Sequence, residues 1–449
     1  MRTTPILCAL IAVTMCVTSA VASTAGPVGQ TVDEALRRQV VEEVNALLVE
    51  KYIDLDKAKT IGKQLRGELK KGNYDDLTSP MAFSQALEAD LKRFGQDGHL
   101  HIWYNPEEAE EVRALKDEGS EEARRIKQEE REAARRRNFG IQKIELLPGN
   151  IGYMDLRQFM DPQFGGQTVA AAMNLLANAD AVIMDLRRNG GGEQTMVQFM
   201  LSYFVKPGTE LNGVRYRAKG TFEQTWTLPY VPGKTMYDTP LYVLTGNRTF
   251  SGAEDFSYAL KVLERATIVG VQTRGGAHPI EYQDVCTDFV LMVPIGESVN
   301  PISGTAWEGV GVEPDVPVSQ EDALTTAQTL ALEALVERTD DEDARYALEW
   351  ALDGLRVELE PVELPVSVLE EYVGQYGERY ITLKDSVLVY RRREEIPMFP
   401  LSESVFGLEG LDFVRATFLR NDEGEITHLV VLYDDGTRFE YAKTEMNGD

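Results

Sequence analysis

A chain of 449 residues with 43% apolar side chains has material for two or three packed domains rather than one core. Its 73 acidic against 46 basic side chains leave a net charge of −27, which repels polyanions at long range and argues against a nucleic-acid partner. No polybasic amphipathic stretch or aromatic-basic interleave offsets that charge.

Arg2 precedes an apolar run from Ile6 to Val17, and Ala20 and Ala22 then give an Ala-x-Ala pattern. This predicts a signal peptide over 1–22 and a periplasmic or secreted mature protein without stable membrane insertion. The run is too short to span hydrocarbon, and no later stretch is long and apolar enough. Val17 after Cys16 is a poor setting for lipidation. Loss of Cys8 and Cys16 with the signal would leave Cys286 alone, so packing rather than a disulfide is expected to hold the mature chain.

Residues 31–53 place Val32, Leu36, Val40, Val44, Leu47, Leu48 and Tyr52 mostly three and four apart, the spacing of an amphipathic helix. Further helices are expected over about 57–71 and 80–94, giving an N-terminal helical domain over 28–104 that ends in the strand-like segment Gln96-Asp97-Gly98-His99-Leu100-His101-Ile102-Trp103-Tyr104. Residues 105–138 are mostly Glu, Arg, Lys and Ala, with i,i+4 pairs such as Glu121 with Arg125, and read as a solvated helical arm or linker. From 139 to 345 the texture is α/β. Strands are expected at 141–147, 150–156, 181–186, 241–244 and 267–271, and helices at 168–177, 195–204, 251–263 and 319–345. Glycine-bearing loops fall between them, as in a covered sheet with functional loops at its strand ends. Beyond Pro361, short alternating runs separated by Asp-Ser, Asn-Asp-Glu-Gly and Asp-Asp-Gly turns predict a small β domain over 360–446.

Ser251 falls where a short apolar strand turns into a helix, a position that exposes a hydroxyl beside the free amides of the helix start. The Gly252 amide is then the natural oxyanion donor, and the loop Gly190-Gly191-Gly192 leaves amides uncovered for a second. By itself a serine opening a helix is an ordinary cap. The loop lacks the endings of a phosphate-binding motif. A base for the hydroxyl must come from four histidines: His99 and His101 on one face of a strand, His278 after a second glycine loop, and His428 in the last domain. His99, His101 and His278 could together ligate zinc, but no specific metal spacing supports it, and no cofactor or metal is expected. Glu308, Glu313 and Asp315 are the candidate carboxylates to orient the base, unranked by sequence.

Taken in order, Asp97-Gly98-His99-Leu100, Gly152-Tyr153-Met154, Asp185-Leu186-Arg187-Arg188-Asn189-Gly190-Gly191-Gly192, Thr249-Phe250-Ser251-Gly252-Ala253-Glu254 and Gly309-Val310-Gly311-Val312-Glu313-Pro314-Asp315 resemble the tail-specific, or C-terminal-processing, serine peptidase family S41. The likeness is to its tricorn- and retinoid-binding-protein-like branch. It implies an α/β, ClpP/crotonase-like catalytic core, with Ser251 as nucleophile and the Asn-Gly-Gly segment, including Gly191, as oxyanion contributor. No lysine stands about 25 residues beyond Ser251, so the histidine branch is the closer match, with His99 as base and Glu308 as its late glutamate. Gly98 replaces the serine that adjoins the histidine in that branch. Only the charged stretch occupies the interval where the processing enzymes usually carry a PDZ module. The resemblance therefore implies a serine endopeptidase acting through an acyl-enzyme on peptide or unfolded protein. The different-class alternative is a non-catalytic protein binding a hydrophobic ligand or a peptide.

Overall fold

The computed structural model describes residues 31–444; the expected signal peptide, with Cys8 and Cys16, lies outside them. The described chain forms two units, one of residues 31–145, 153–178 and 184–320, the other of 146–152, 179–183 and 321–444.

The first unit opens with helices α1 (Glu34–Lys51), α2 (Leu55–Lys70) and α3 (Pro80–Gly95), then β1 (His101–Tyr104), α4 (Pro106–Leu115) and α5 (Glu121–Arg136). There follow β2 (Ile141–Leu147), β3 (Ile151–Leu156), α6 (Pro162–Leu176), β4 (Ala181–Asp185), α7 (Gln194–Phe204), β5 (Glu210–Tyr216) and β6 (Thr221–Trp226). Next come β7 (Leu241–Thr245), α8 (Gly252–Val262), β8 (Thr267–Gly270), β9 (Ile280–Val285), β10 (Phe289–Pro294), β11 (Glu297–Val299) and β12 (Val316–Pro317).

Each of the first three helices starts where a side chain can satisfy free amides: Asp33 accepts from Leu36 N–H, Asp54 from Asp56 and Lys57, and Ser79 from Ala82 with Pro80 at the first turn. Their apolar faces do not close on one another alone. Val40, Val44, Leu48, Leu87 and Leu91 share one core with Val214 of β5 and Phe289, Leu291 and Val293 of β10. The helices expected over 28–104 therefore share their core with β5 and β10, two strands not expected from the sequence. The expected solvated arm is two helices, divided at Gly119-Ser120, where Ser120 caps α5. α4 is not free in solvent, because Ala109 and Val112 pack on Val290 beside Trp103 and Tyr282.

The central sheet has the order β12-β8-β7-β4-β3-β2, with β7 and β8 parallel. Every residue of β3, β4 and β7 is buried, as in a sheet covered on both faces. Two further three-stranded sheets, β1-β10-β9 and β11-β5-β6, complete the unit.

In the second unit the helix expected over 319–345 is two, α9 (Ala323–Arg338) and α10 (Glu342–Leu359), because Asp341 caps a new start by accepting from Ala344 N–H. After α11 (Val366–Tyr372), eight strands from β13 (Gly374–Tyr376) to β20 (Arg438–Thr444) close into a barrel, the last pairing with the first at Gln375–Thr444 and Tyr376–Lys443. Tyr372, Tyr376, Phe406 and Phe418 fill its interior. The chain is thus a mixed α/β protein with a C-terminal β-barrel.

Candidate active site

Four residues past the end of β4, Asn189 is fully buried; its Nδ2 donates to Leu156 O at 3.0 Å and its Oδ1 accepts from Gly191 N–H at 2.8 Å. The same residue's carbonyl accepts from Phe250 N–H at 3.1 Å, and Thr249 Oγ1 donates to Leu186 O at 2.8 Å. These bonds pin the turn after β7 against the glycine loop after β4. Ser251 stands at their junction with φ 52° and ψ −120°, outside the regions an L-residue ordinarily occupies. Such a conformation persists only where the surroundings impose it. Gly191, at φ +104°, faces it so closely that a Cβ there would lie 2.9 Å from Ser251 Cβ and 2.8 Å from Gly252 N. Gly252 N–H is at the first helical position, where no carbonyl of the helix can receive it. The structure brings Ser251, Gly191 and Gly252 together; the Gly191 amide is already engaged by Asn189, so it must exchange that bond to serve an oxyanion.

Glu254, fully buried on α8, is the organising group, and its place in the Thr249–Glu254 motif gives no sign of that role. Its Oε2 accepts from Ser251 N–H at 2.9 Å and Gly276 N–H at 2.8 Å, and its Oε1 from Gly275 N–H at 2.6 Å and Thr273 Oγ1 at 2.5 Å. Burial raises its pKa, and these four donors oppose the rise. One carboxylate thereby ties the serine turn to the second glycine loop.

That loop covers His99: a Cβ on Gly276 would lie 2.6 Å from its Cε1, so only glycine fits. The His99 ring lies 4.5 Å from that of Phe250, the residue before Ser251, and Arg274 stands over Phe250 as well. Neither His99 ring nitrogen has a hydrogen-bond partner among the described residues, and the side chain is buried. Desolvation lowers its pKa to about 4; the Asp97 charge pulls the other way, while His278, His101 and Arg274 reinforce the fall. Below 6.5 the unfolded imidazole takes a proton that the folded one refuses until about 4, so this contribution to stability is lost as pH falls through that window. Buried Asp255, whose pKa is raised to about 7, works in the opposite sense, so the effect is read as a difference. Between pH 6.5 and 4, wild type will lose up to about 3 kcal/mol more than His99→Gln in urea unfolding, and equal losses would disprove a neutral buried His99.

α3 ends with Gln96 in the left-handed region, and this reversal delivers Asp97 inward. Asp97 Oδ1 accepts from His99 N–H at 2.9 Å; its Oδ2 accepts from Tyr52 Oη at 3.0 Å and faces His278 Nδ1 at 3.0 Å. Glu308 Oε2 lies 3.5 Å from the same Nδ1 and accepts from Ala277 N–H at 2.6 Å. Burial alone would push Asp97 up, but the His278 hydrogen bond and charge and the His99 amide hold it below the ordinary value. For His278 burial is outweighed by Asp97 and Glu308, which raise it, and Glu308 is raised by burial against the pull of His278. Of the three candidate carboxylates, only Glu308 joins the histidine group: Glu313 is exposed, and Asp315 pairs with Lys261 and accepts from Ile268 N–H. Its nearest imidazole in this arrangement is His278. His101 instead meets Glu88 and Gly98 O, and His428 lies in the barrel. Asp97 and Tyr52 went unassigned in the sequence; an Asp two residues before a histidine was the available signal, whereas Tyr52 read only as an apolar helix position.

The family model described as Peptidase family S41 matches residues 150–318, and the model described as the N-terminal domain of Peptidase_S41 in eukaryotic IRBP matches residues 34–139. A carboxy-terminal-processing protease of Bartonella bacilliformis is 27% identical over 176 residues, which are 38% of this chain and 39% of that protein's length. Among solved structures, the photosystem II D1 C-terminal processing protease aligns at TM-score 0.42 and 16% identity over 64% of this chain and 94% of its own. A lipoprotein of Streptococcus agalactiae aligns at TM-score 0.44 and 14% identity, over 69% and 99% respectively. Among the described residues no helix is long and apolar enough to cross a membrane. Through the two family matches, over 34–139 and 150–318, the chain belongs to peptidase family S41.

Proposed function

We propose that the chain is a serine endopeptidase of the periplasm or extracellular space that hydrolyses peptide or unfolded protein through an acyl-enzyme, on a ClpP/crotonase-like core. The observation that carries this reading is the strained Ser251 at the start of α8, held against the Gly191 loop. Ser251 Oγ attacks the substrate carbonyl and His99, neutral before reaction, takes its proton. The amides of Gly252 and Gly191 receive the negative oxygen, the latter on release from Asn189. Asp97 and Glu308 supply the negative charge that steadies the protonated imidazole, Asp97 through the group it shares with His278 and through its contact with the His99 amide. His99 then returns the proton to the leaving amine, and water repeats the sequence on the ester.

A fluorophosphonate probe tests the reading. The purified chain should be labelled stoichiometrically, the adduct should map to the peptide containing Ser251, and a quenched peptide library should be cleaved. A second reading, a non-catalytic protein that binds a hydrophobic ligand or a peptide, draws support from the unpartnered His99 nitrogens. It predicts no adduct, no cleavage and stoichiometric ligand uptake instead.

A further inference from the structure

The atoms His278 Nδ1, Asp97 Oδ2 and Glu308 Oε2 all lie within 4.8 Å of one another, with separations of 3.0 Å between histidine and aspartate and 3.5 Å between histidine and glutamate. A tetrahedral zinc ion with bonds near 2.1 Å needs its ligand atoms about 3.4 Å apart, so little movement is required. Each carboxylate oxygen already holds one outer donor and keeps room for another partner: Tyr52 Oη on Asp97 Oδ2, and Ala277 N–H on Glu308 Oε2. Asp97 is further fixed through Oδ1 by the His99 amide. Outer bonds of this kind orient ligands in metal sites. The two loops that carry His278 and Glu308 are themselves joined, by Gly309 N–H to Gly275 O at 3.0 Å and Trp307 Nε1 to Gly276 O at 2.8 Å. Side-chain exposures of 11% for His278 and 25% for Glu308, against 1% for Asp97, leave the group open to solvent on one side.

We propose that Asp97, His278 and Glu308 form a three-ligand site for a zinc-class divalent cation, with one position left to solvent. One imidazole with two carboxylates suits zinc or cobalt; calcium and magnesium favour sets made of oxygen alone. The cation replaces the proton between His278 and Asp97. If the peptidase reading holds, on which this consequence alone rests, it also takes up the negative charge facing His99, and zinc inhibits turnover.

Calorimetric titration of the purified chain with Zn²⁺, and the visible spectrum of its Co²⁺ complex, test the site without reference to activity. One equivalent should bind, with the intense visible bands of four- or five-coordinate cobalt and no sulfur charge-transfer band. His278→Ala and Glu308→Gln should each weaken binding by at least roughly 100-fold, and Tyr52→Phe by roughly 10-fold. Unfolding curves for each variant separate a lost site from a lost fold, and because Glu308 is partly exposed its variant stands even where the others are unstable. Undiminished binding in folded His278→Ala or Glu308→Gln overturns the proposal. So does a sulfur band, which would assign the ion to Cys286 and its neighbour Glu43.

Discussion

Ser251→Ala will reduce kcat/KM on a quenched peptide by roughly 10⁴-fold or more and abolish fluorophosphonate labelling, while the protein stays folded. The size of the loss follows from the proposed chemistry, since without the hydroxyl no acyl-enzyme forms and only water activated by the remaining groups can attack. Stability should barely move. The backbone bonds that hold the turn come from Ser251 N–H to Glu254 and from Glu254 N–H and Asp255 N–H to Ser251 O, and alanine keeps all of them. The strain at φ 52° is the same for either side chain. An unfolding free energy within about 1 kcal/mol of wild type, the usual scale of a lost serine cap, together with absent turnover, is the expected pair of results. Turnover retained by the folded variant would remove Ser251 from the mechanism.

The second large effect is expected at a residue without a side chain. Gly191→Ala places a methyl 2.8 Å from both Gly252 N and Phe250 O and 2.9 Å from Ser251 Cβ, at a φ of +104° that alanine resists. All of these neighbours are backbone or nearly so, and none can swing aside as a long side chain would. The glycine loop and the serine turn must therefore separate, and the amides cease to converge on one oxygen. A loss of about 10²–10³-fold in kcat is expected, the scale of removing an oxyanion donor, with a smaller change in KM. Gly190→Ala is the matching control: a Cβ there meets nothing within 4 Å, so its kinetics should follow wild type. If Gly191→Ala also follows wild type, the loop has no part in catalysis.

The distance between sequence and structure is uneven, and particular residues say why. The buried strands β4 and β7 and the helices after them were legible because apolar runs end in glycine-bearing turns. Ser251 and Gly191 were legible as types at loop positions, but their contact depends on Asn189 and Thr249, whose bonds span 33 and 63 residues. Of the strands over 205–300, β7 and β8 were expected while β5, β6, β9, β10 and β11 were missed; β6 is exposed along most of its length and offers no buried run to mark it. β16 (Glu395–Pro400) and β17 (Val405–Leu408) were missed too, the first carrying Pro397 and Pro400 and the second only four residues long. The relations of His99 are the least legible part of the site. Its neighbours Phe250 and Gly276 lie far along the chain, and the pairing of His278 with Asp97 joins residues 181 apart. No local periodicity encodes such meetings, which arise only once two loops and a helix end are fixed by tertiary packing.

The closed barrel of the second unit bears on what a peptidase at high local concentration meets first, its own neighbours. An extended segment is the form in which a chain is most readily presented for cleavage, and it is commonly supplied by a free sheet edge or a fraying terminus. From β13 to β20 each strand is bonded on both sides, the last of them, β20, to β13 as well as to β19 (Ile426–Tyr433), so no strand can be drawn out without breaking two ladders at once. Within the barrel, self-digestion is then confined to its turns, such as Asn421-Asp422-Glu423-Gly424, unless the whole barrel opens. Under the proposed activity, closure makes the barrel a poor substrate for the chain that carries it.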